Sequence, residues 1–162
     1  MTLRPATETD LEAILALYNE AILTTTAVYQ ETPHTLEMRR QWYADKQATG
    51  LPVFIAEIDG VFAGFSTYGP FRNWPGYRFT VEHSVYVVST FRRMNIGRTL
   101  VEALIEHARN SGMHIMIAGI DSSGEGSIAL HRSLGFVEVA HFKEVGYKFG
   151  QWLDLKFMQL NL

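Results

Sequence analysis

The stretch "TVEHSVYVVSTFRRMNIGRTLVEALIEHAR", residues 80–109, decides the fold. Its first part, "TVEHSVYVV", is β-branched and alternating, and reads as a strand. Period two sets Glu82, Ser84 and Tyr86 on one face and Val81, His83, Val85 and Val87 on the other. A basic loop follows, Arg92-Arg93-Met94-Asn95-Ile96-Gly97, and then a long helix. Paired arginines feeding a helix N-terminus make a plausible anion cradle, since successive N–H groups and the helix dipole point at the bound charge. Such cradles normally carry glycine where this chain has Asn95. Asn is among the few side-chain-bearing residues that tolerate left-handed backbone angles. Read alone, the loop is closer to an ordinary basic helix cap, although arginines at a helix N-terminus oppose the dipole unless an anion is present.

Outward from this unit the chain alternates. "TLRPA" is a short strand, and "TETDLEAILALYNEAIL" a helix with Thr7 as N-cap and Asp10 three residues on. Leu11, Ile14, Leu15, Tyr18 and Ile22 form its apolar stripe. After a Thr-rich irregular segment, "TLEMRRQWYADKQATG" is a polar helix stopped by Gly50. "PVFIAEIDGVFAGFSTYG" holds two apolar runs joined by Asp59-Gly60, a hairpin signal. "PFRNWPGYRF" is a loop. Beyond the central helix come a buried strand "HIMIAGI", a turn "DSSGEG", a short helix "SIALHRSLG" and two alternating strands, "FVEVAHF" and "WLDLKFMQL". The order β-α-α-β-β-β-α-β-α-β-β, with no repeat or linker, predicts one α/β domain over residues 1–162, a mixed sheet covered by helices on both faces.

Bulk properties narrow the function. The chain has 162 residues, 47% hydrophobic and 19% charged, with a net charge of −3, which disfavours a nucleic-acid footprint. There is no cysteine, so thiolate chemistry and disulfides are excluded. The histidines lack metal-ligand spacing, so no metal is expected. No run approaches ~18 apolar residues and no signal-peptide core is present, so a soluble cytoplasmic protein is expected.

The element order and its basic loop resemble the GCN5-related N-acetyltransferase (GNAT) superfamily. The strings "TVEHSVYV", "HIMIAGI", "SIALHRSLGF" and "GYKFGQWLDLKFMQLNL" are similar to its phosphinothricin and methionine sulfoximine N-acetyltransferases, nearly throughout the chain. The resemblance implies a mixed, mostly antiparallel sheet of about seven strands flanked by about four helices. It implies acetyl-CoA as co-substrate, with its pyrophosphate on the Arg93, Met94, Asn95, Ile96, Gly97 and Arg98 loop. Its pantetheine arm would lie along the main chain of Val85, Tyr86 and Val87, in the manner of an added strand. Ser133 and Gly124 would also meet the cofactor. Gly124 stands where this branch usually has Asn, so a side-chain contact is lost there.

Chemistry follows from two side chains. Glu82, a carboxylate inside a strand, is costly unless solvated or paired. With a raised pKa it would serve as general base for the attacking amine, although an ion pair with Arg72 or Arg78 would equally explain it. His131 stands where many superfamily members place a tyrosine that protonates the departing thiolate, and histidine can do so near neutral pH. The loop holding Arg72, Trp74, Pro75, Gly76, Tyr77 and Arg78 reads as a lid that grips a carboxylate or phosphinate in an arginine fork. Used otherwise, it would be a dimer contact. Lys148 of "GYKFGQW" is a further candidate for lining the same pocket. The expected substrate is a small amino-acid analogue, and the expected assembly a homodimer through the apolar end "WLDLKFMQLNL". The alternatives are acetylation of peptide N-termini, lysine or polyamines, or a non-catalytic acyl-CoA-binding module.

Overall fold

The computed structural model describes residues 1–162. Seven strands and four helices run in the order the sequence suggests: β1 (Thr2–Pro5), α1 (Leu11–Thr24), α2 (Leu36–Ala48), β2 (Val53–Ile58), β3 (Val61–Pro70), β4 (Thr80–Val87), α3 (Ile96–Asn110), β5 (Ile115–Asp121), α4 (Glu125–Ser133), β6 (Val137–Lys148) and β7 (Gln151–Asn161). They form one sheet ordered β1-β2-β3-β4-β5-β7-β6, antiparallel except for the β4–β5 pair. That pair is parallel because α3 must cross over between its strands.

Local chemistry explains the boundaries. The Asp10 carboxylate accepts from the backbone N–H of Thr7 at 2.7 Å and pairs with Arg4, fixing the entry to α1 through a short 3-10 turn. Thr35 caps α2 by accepting from the Met38 N–H. Asp59 and Gly60 both take positive φ, +50° and +77°, as a two-residue hairpin turn requires.

Two cores sandwich the sheet. On one face, Val101, Leu104, Ile105 and Ala108 of α3 and Ile128 of α4 pack with Val81, Met116, Ala118, Ile120, Phe136 and Met158. On the other, Leu11, Ile14 and Leu17 of α1 pack with Val53, Ile55 and Phe65. The stripe of α1 is rotated from the one expected. Leu17 and Ala21 are buried and Leu15 and Tyr18 only half-buried, because the helix lies across β3 and β4 with α2 at its side.

Two features position the site. First, β4 and β5 pair only from Thr80 to His83 against Ile115 to Ala118, then splay apart. Beyond His83 the strand keeps its partner β3, but its other edge is open. Second, the connection from α1 to α2 is tied down across the splay. Lys148 is completely buried and donates to the carbonyls of Thr25 and Val28 at 2.7 Å each. Tyr29 lies on Gly146, where a Cβ would sit 2.5 Å from its ring, and its hydroxyl donates to Asp121 at 3.0 Å. Lys148 is therefore a tether and lines no pocket with the expected lid residues. No helix is long and apolar enough to cross a membrane.

Candidate active site

A groove of about 770 Å³ opens along the splay. Its floor is Val85, Tyr86 and Val87, one wall is α4 with Ser127, Leu130 and Ser133, and the other is α1 with the segment carrying Thr25 and Ala27. At one end it reaches Arg92, Arg93, Asn95, Ile96, Gly97 and Arg98. Of the residues expected on the cofactor, these bring together all but Met94, whose side chain is half exposed, and Gly124. Gly124 lines a smaller cavity of about 270 Å³ that continues from the groove through the splay.

The loop has cradle geometry. Asn95 is the residue before α3 and adopts φ +62°, ψ 8°, in the left-handed region. Arg93 does the same at φ +63°, which its side chain gave no reason to expect. Gly97 lets α3 and α4 approach closely, since a Cβ there would lie 3.3 Å from the Leu130 side chain of α4. Arg98 spans both helices, donating to Glu102 and to the Ser133 hydroxyl at 2.9 Å each. Arg92 and Arg93 make no ion pair, which leaves two cations at a helix N-terminus. An anion there relieves the unfavourable dipole.

Glu82 lies on the α1–α2 face of β4, half-buried. Gly119 of β5 makes room for it: a Cβ at 119 would come within 2.9 Å of Oε1 and 3.3 Å of the Phe157 ring. Burial beside that ring raises the Glu82 pKa above the usual carboxylate range, and the charge of Arg72 partly opposes the rise. Glycine inside the apolar strand "HIMIAGI" was the available sign of this close approach, and sequence reasoning passed over it.

His131 is 1% exposed and faces the other side of the sheet. Its Nδ1 is 2.7 Å from the Ser127 carbonyl oxygen and its Nε2 is 3.0 Å from Nε2 of His83. Both ring nitrogens thus meet protein partners. Burial lowers the pKa of both imidazoles, each disfavouring charge. Period two gives His83 only a place on the apolar face of β4 and no sign of this contact.

The lid residues are not gathered over Glu82 in the single chain. Arg72, Trp74, Pro75, Tyr77 and Arg78 line a separate cavity of about 460 Å³ beside Thr80, Ser111 and Met113, at the start of β4. Gly76 is not part of its lining. Arg72 and Arg78 each rest over a phenylalanine ring, at 4.3 and 4.6 Å, and donate to a neighbouring carbonyl. Of these residues, only the charge of Arg72 bears on the Glu82 pKa. No group of three His, Asp or Glu is placed to hold a metal ion.

Splayed parallel strands, a left-handed basic loop before the crossover helix and a carboxylate on the splayed strand together define an acyltransferase architecture. Residues 3–157 match the family described as Acetyltransferase (GNAT) domain. The chain is 45% identical over 162 residues to an L-methionine sulfoximine/L-methionine sulfone acetyltransferase of Salmonella typhimurium, covering 100% of this chain and 95% of that protein. Its fold matches a ribosomal-protein-alanine N-acetyltransferase from Brucella melitensis at TM-score 0.98 and 50% identity, covering 100% of both chains. It also matches a phosphinothricin acetyltransferase from Sinorhizobium meliloti, solved with acetyl-CoA, at TM-score 0.96 and 37% identity, covering 99% of this chain and 88% of that one. The protein belongs to the GNAT family and is an N-acetyltransferase.

Proposed function

We propose that this enzyme moves the acetyl group of acetyl-CoA to the α-amino group of a small amino-acid analogue of the methionine sulfoximine, methionine sulfone or phosphinothricin type. The observation that carries the reading is the shared strand: β4 presents Glu82 at its paired end and an open main-chain edge at its splayed end. The pyrophosphate would sit on the N–H groups before α3, with Arg92 and Arg93 adding charge. The pantetheine amides would pair with the free edge of Val85 to Val87, completing the sheet.

The thioester carbonyl then lies in the splay. Glu82 takes a proton from the substrate ammonium, and the neutral amine attacks the carbonyl carbon. An N–H of the open β4 edge steadies the oxyanion. Collapse breaks the C–S bond and frees the thiolate, and His131 is the group we assign to return a proton to the sulfur. Of the lid residues, we assign Arg72 to the substrate's acid group, because its charge bears on Glu82.

Free-thiol release from acetyl-CoA tests this against methionine sulfoximine, phosphinothricin, ordinary amino acids and an N-terminal alanine peptide. Release with the first two is expected, falling about 10²- to 10⁴-fold in Glu82→Gln. Binding of acetyl-CoA without release from any amine would sink the reading. The likeness at 50% identity to the Brucella protein favours a second acceptor class, peptide N-termini. Release with the peptide alone would select it.

A further inference from the structure

We infer that Phe157 is a positioning residue for acetyl transfer: its ring, laid across Gly119, holds the Glu82 carboxylate toward the splay and carries the Arg72 guanidinium through Phe71. The inference rests on the acetyl-transfer reading above. Register sets the arrangement. Glu82 pairs with Ile117, and the pairing of β4 with β5 ends one step later at His83 and Ala118. Gly119 is the next residue of β5 on the Glu82 face, so a carboxylate lying over it leans toward the splayed end. On its other side Gly119 pairs with Phe157 of β7. With no side chain at 119, two others converge there. A Cβ at that position would be 2.9 Å from Glu82 Oε1, and 3.3 Å and 3.7 Å from Cε1 and Cδ1 of Phe157. The ring covers a glycine in mid-strand and stands against the base.

The ring is itself held from two sides. Phe142 of β6 meets it edge-on at 5.5 Å and 81°, and Phe71, at the start of the lid, does so at 5.9 Å and 74°. Phe71 also meets Tyr77 at 5.8 Å, and the Arg72 guanidinium lies over the Phe71 ring at 4.3 Å. An aromatic column thus runs from the sheet edge to the lid, with Phe157 in the middle. The apolar wall beside the base and the cation that faces it rest on one side chain.

The other charged groups around this face are engaged elsewhere. Asp121, two residues along β5, is bonded to the Ser123 N–H and the Tyr29 hydroxyl. Lys46 of α2 donates to the Tyr68 carbonyl of β3, and Lys156 of β7 pairs with Glu138 of β6. Glu20 of α1 lines the cofactor groove, and Arg78 donates to the Pro75 carbonyl. Burial is the larger influence on Glu82 and Arg72 the opposing one.

Carboxyl ¹³C spectra of the glutamate-labelled full-length protein, titrated with pH and assigned with Glu82→Gln, test this directly. The Glu82 midpoint is expected above the ordinary carboxylate range in the wild type. It should be lower in Phe157→Leu, which stays apolar but lets water reach the base. Loss of the ring also loosens Arg72, which acts the other way, but burial is the larger influence. The rising limb of kcat/KM against pH should therefore move to lower pH, opposite to the direction that removing Arg72 would give. A weaker, less fixed base should also lower kcat about tenfold, with KM for acetyl-CoA little changed. Phe157→Tyr keeps the ring and should keep the limb. Gly119→Ala keeps the ring but takes the space of the carboxylate, and kcat should again fall about tenfold or more. An ordinary Glu82 midpoint in the wild type overturns the inference, as does a folded Phe157→Leu protein with an unmoved limb. If the leucine variant fails to fold, the wild-type midpoint and Gly119→Ala still decide, since an alanine protein with wild-type kcat also overturns it. Absence of acetyl transfer to any amine would sink the underlying reading while the carboxyl spectra still report what the ring does to Glu82, so the two failures are told apart.

Discussion

Burial raises the pKa of Glu82 and the Arg72 guanidinium lowers it, so the two oppose each other at the base. The base acts when ionised, and the rate rises with pH through that pKa. Arg72→Ala removes the lowering influence, so the rising limb of kcat/KM against pH should move to higher pH. A limb that stays in place would show that Arg72 is too remote to matter. Asn95 gives a second test. At φ +62° glycine is unstrained and valine is an outlier costing ~1–2 kcal/mol, so Asn95→Gly should keep acetyl-CoA affinity and Asn95→Val should lose about tenfold, measured by calorimetry. Asn95 was legible because it stands where such cradles carry glycine and its side chain tolerates the left-handed angle. Gly119 and His83 were not. Each matters through a residue far along the chain, Glu82 and His131, and a strand pattern records a face without recording who faces whom.

At the scale of elements, the tether on the α1–α2 connection has the largest reach. The Lys148 ammonium satisfies two backbone carbonyls more than a hundred residues earlier, and the segment it holds supplies Thr25 and Ala27 to the groove wall. Burial lowers the Lys148 pKa, so the tether works against its own desolvation. Lys148→Met keeps the stem and removes the donors, leaving those carbonyls unsatisfied at ~1–3 kcal/mol. The melting temperature should drop roughly 3–10 °C, and acetyl-CoA should bind more weakly. An unchanged affinity would detach the tether from the groove. Short-range signals such as Asp59-Gly60 fixed the β2–β3 hairpin from local chemistry. "GYKFGQW" carried no such signal, because a buried lysine is explained only by the carbonyls that fold back onto it.

For the whole molecule, element order carried the mixed sheet and its one handed crossover, and not the strand order β5-β7-β6 at the far edge. The surface is where the reading needed the structure. The apolar end "WLDLKFMQLNL" is β7, which lies inside the sheet between β5 and β6 with Leu153 and Met158 buried. The open apolar surface belongs mainly to the edge strand β6: Val137, Val139, Phe142, Val145 and Tyr147, joined by Trp152 of β7. An exposed apolar edge of this kind invites pairing with another chain, and we propose that it joins two copies of this one. Light scattering should give twice the chain mass, and Val145→Glu should return the monomer. A wild-type monomer at high concentration would end that proposal.

The open edge of β4 has a further consequence. Val85 and Val87, in an interior strand, keep donors and acceptors on an edge that no protein strand covers. Whatever fills that seam stabilises the folded state by mass action, by about 2.7 kcal/mol at a hundredfold excess over its dissociation constant. On the proposed reading that ligand is acetyl-CoA, so resistance to unfolding should rise with acetyl-CoA concentration.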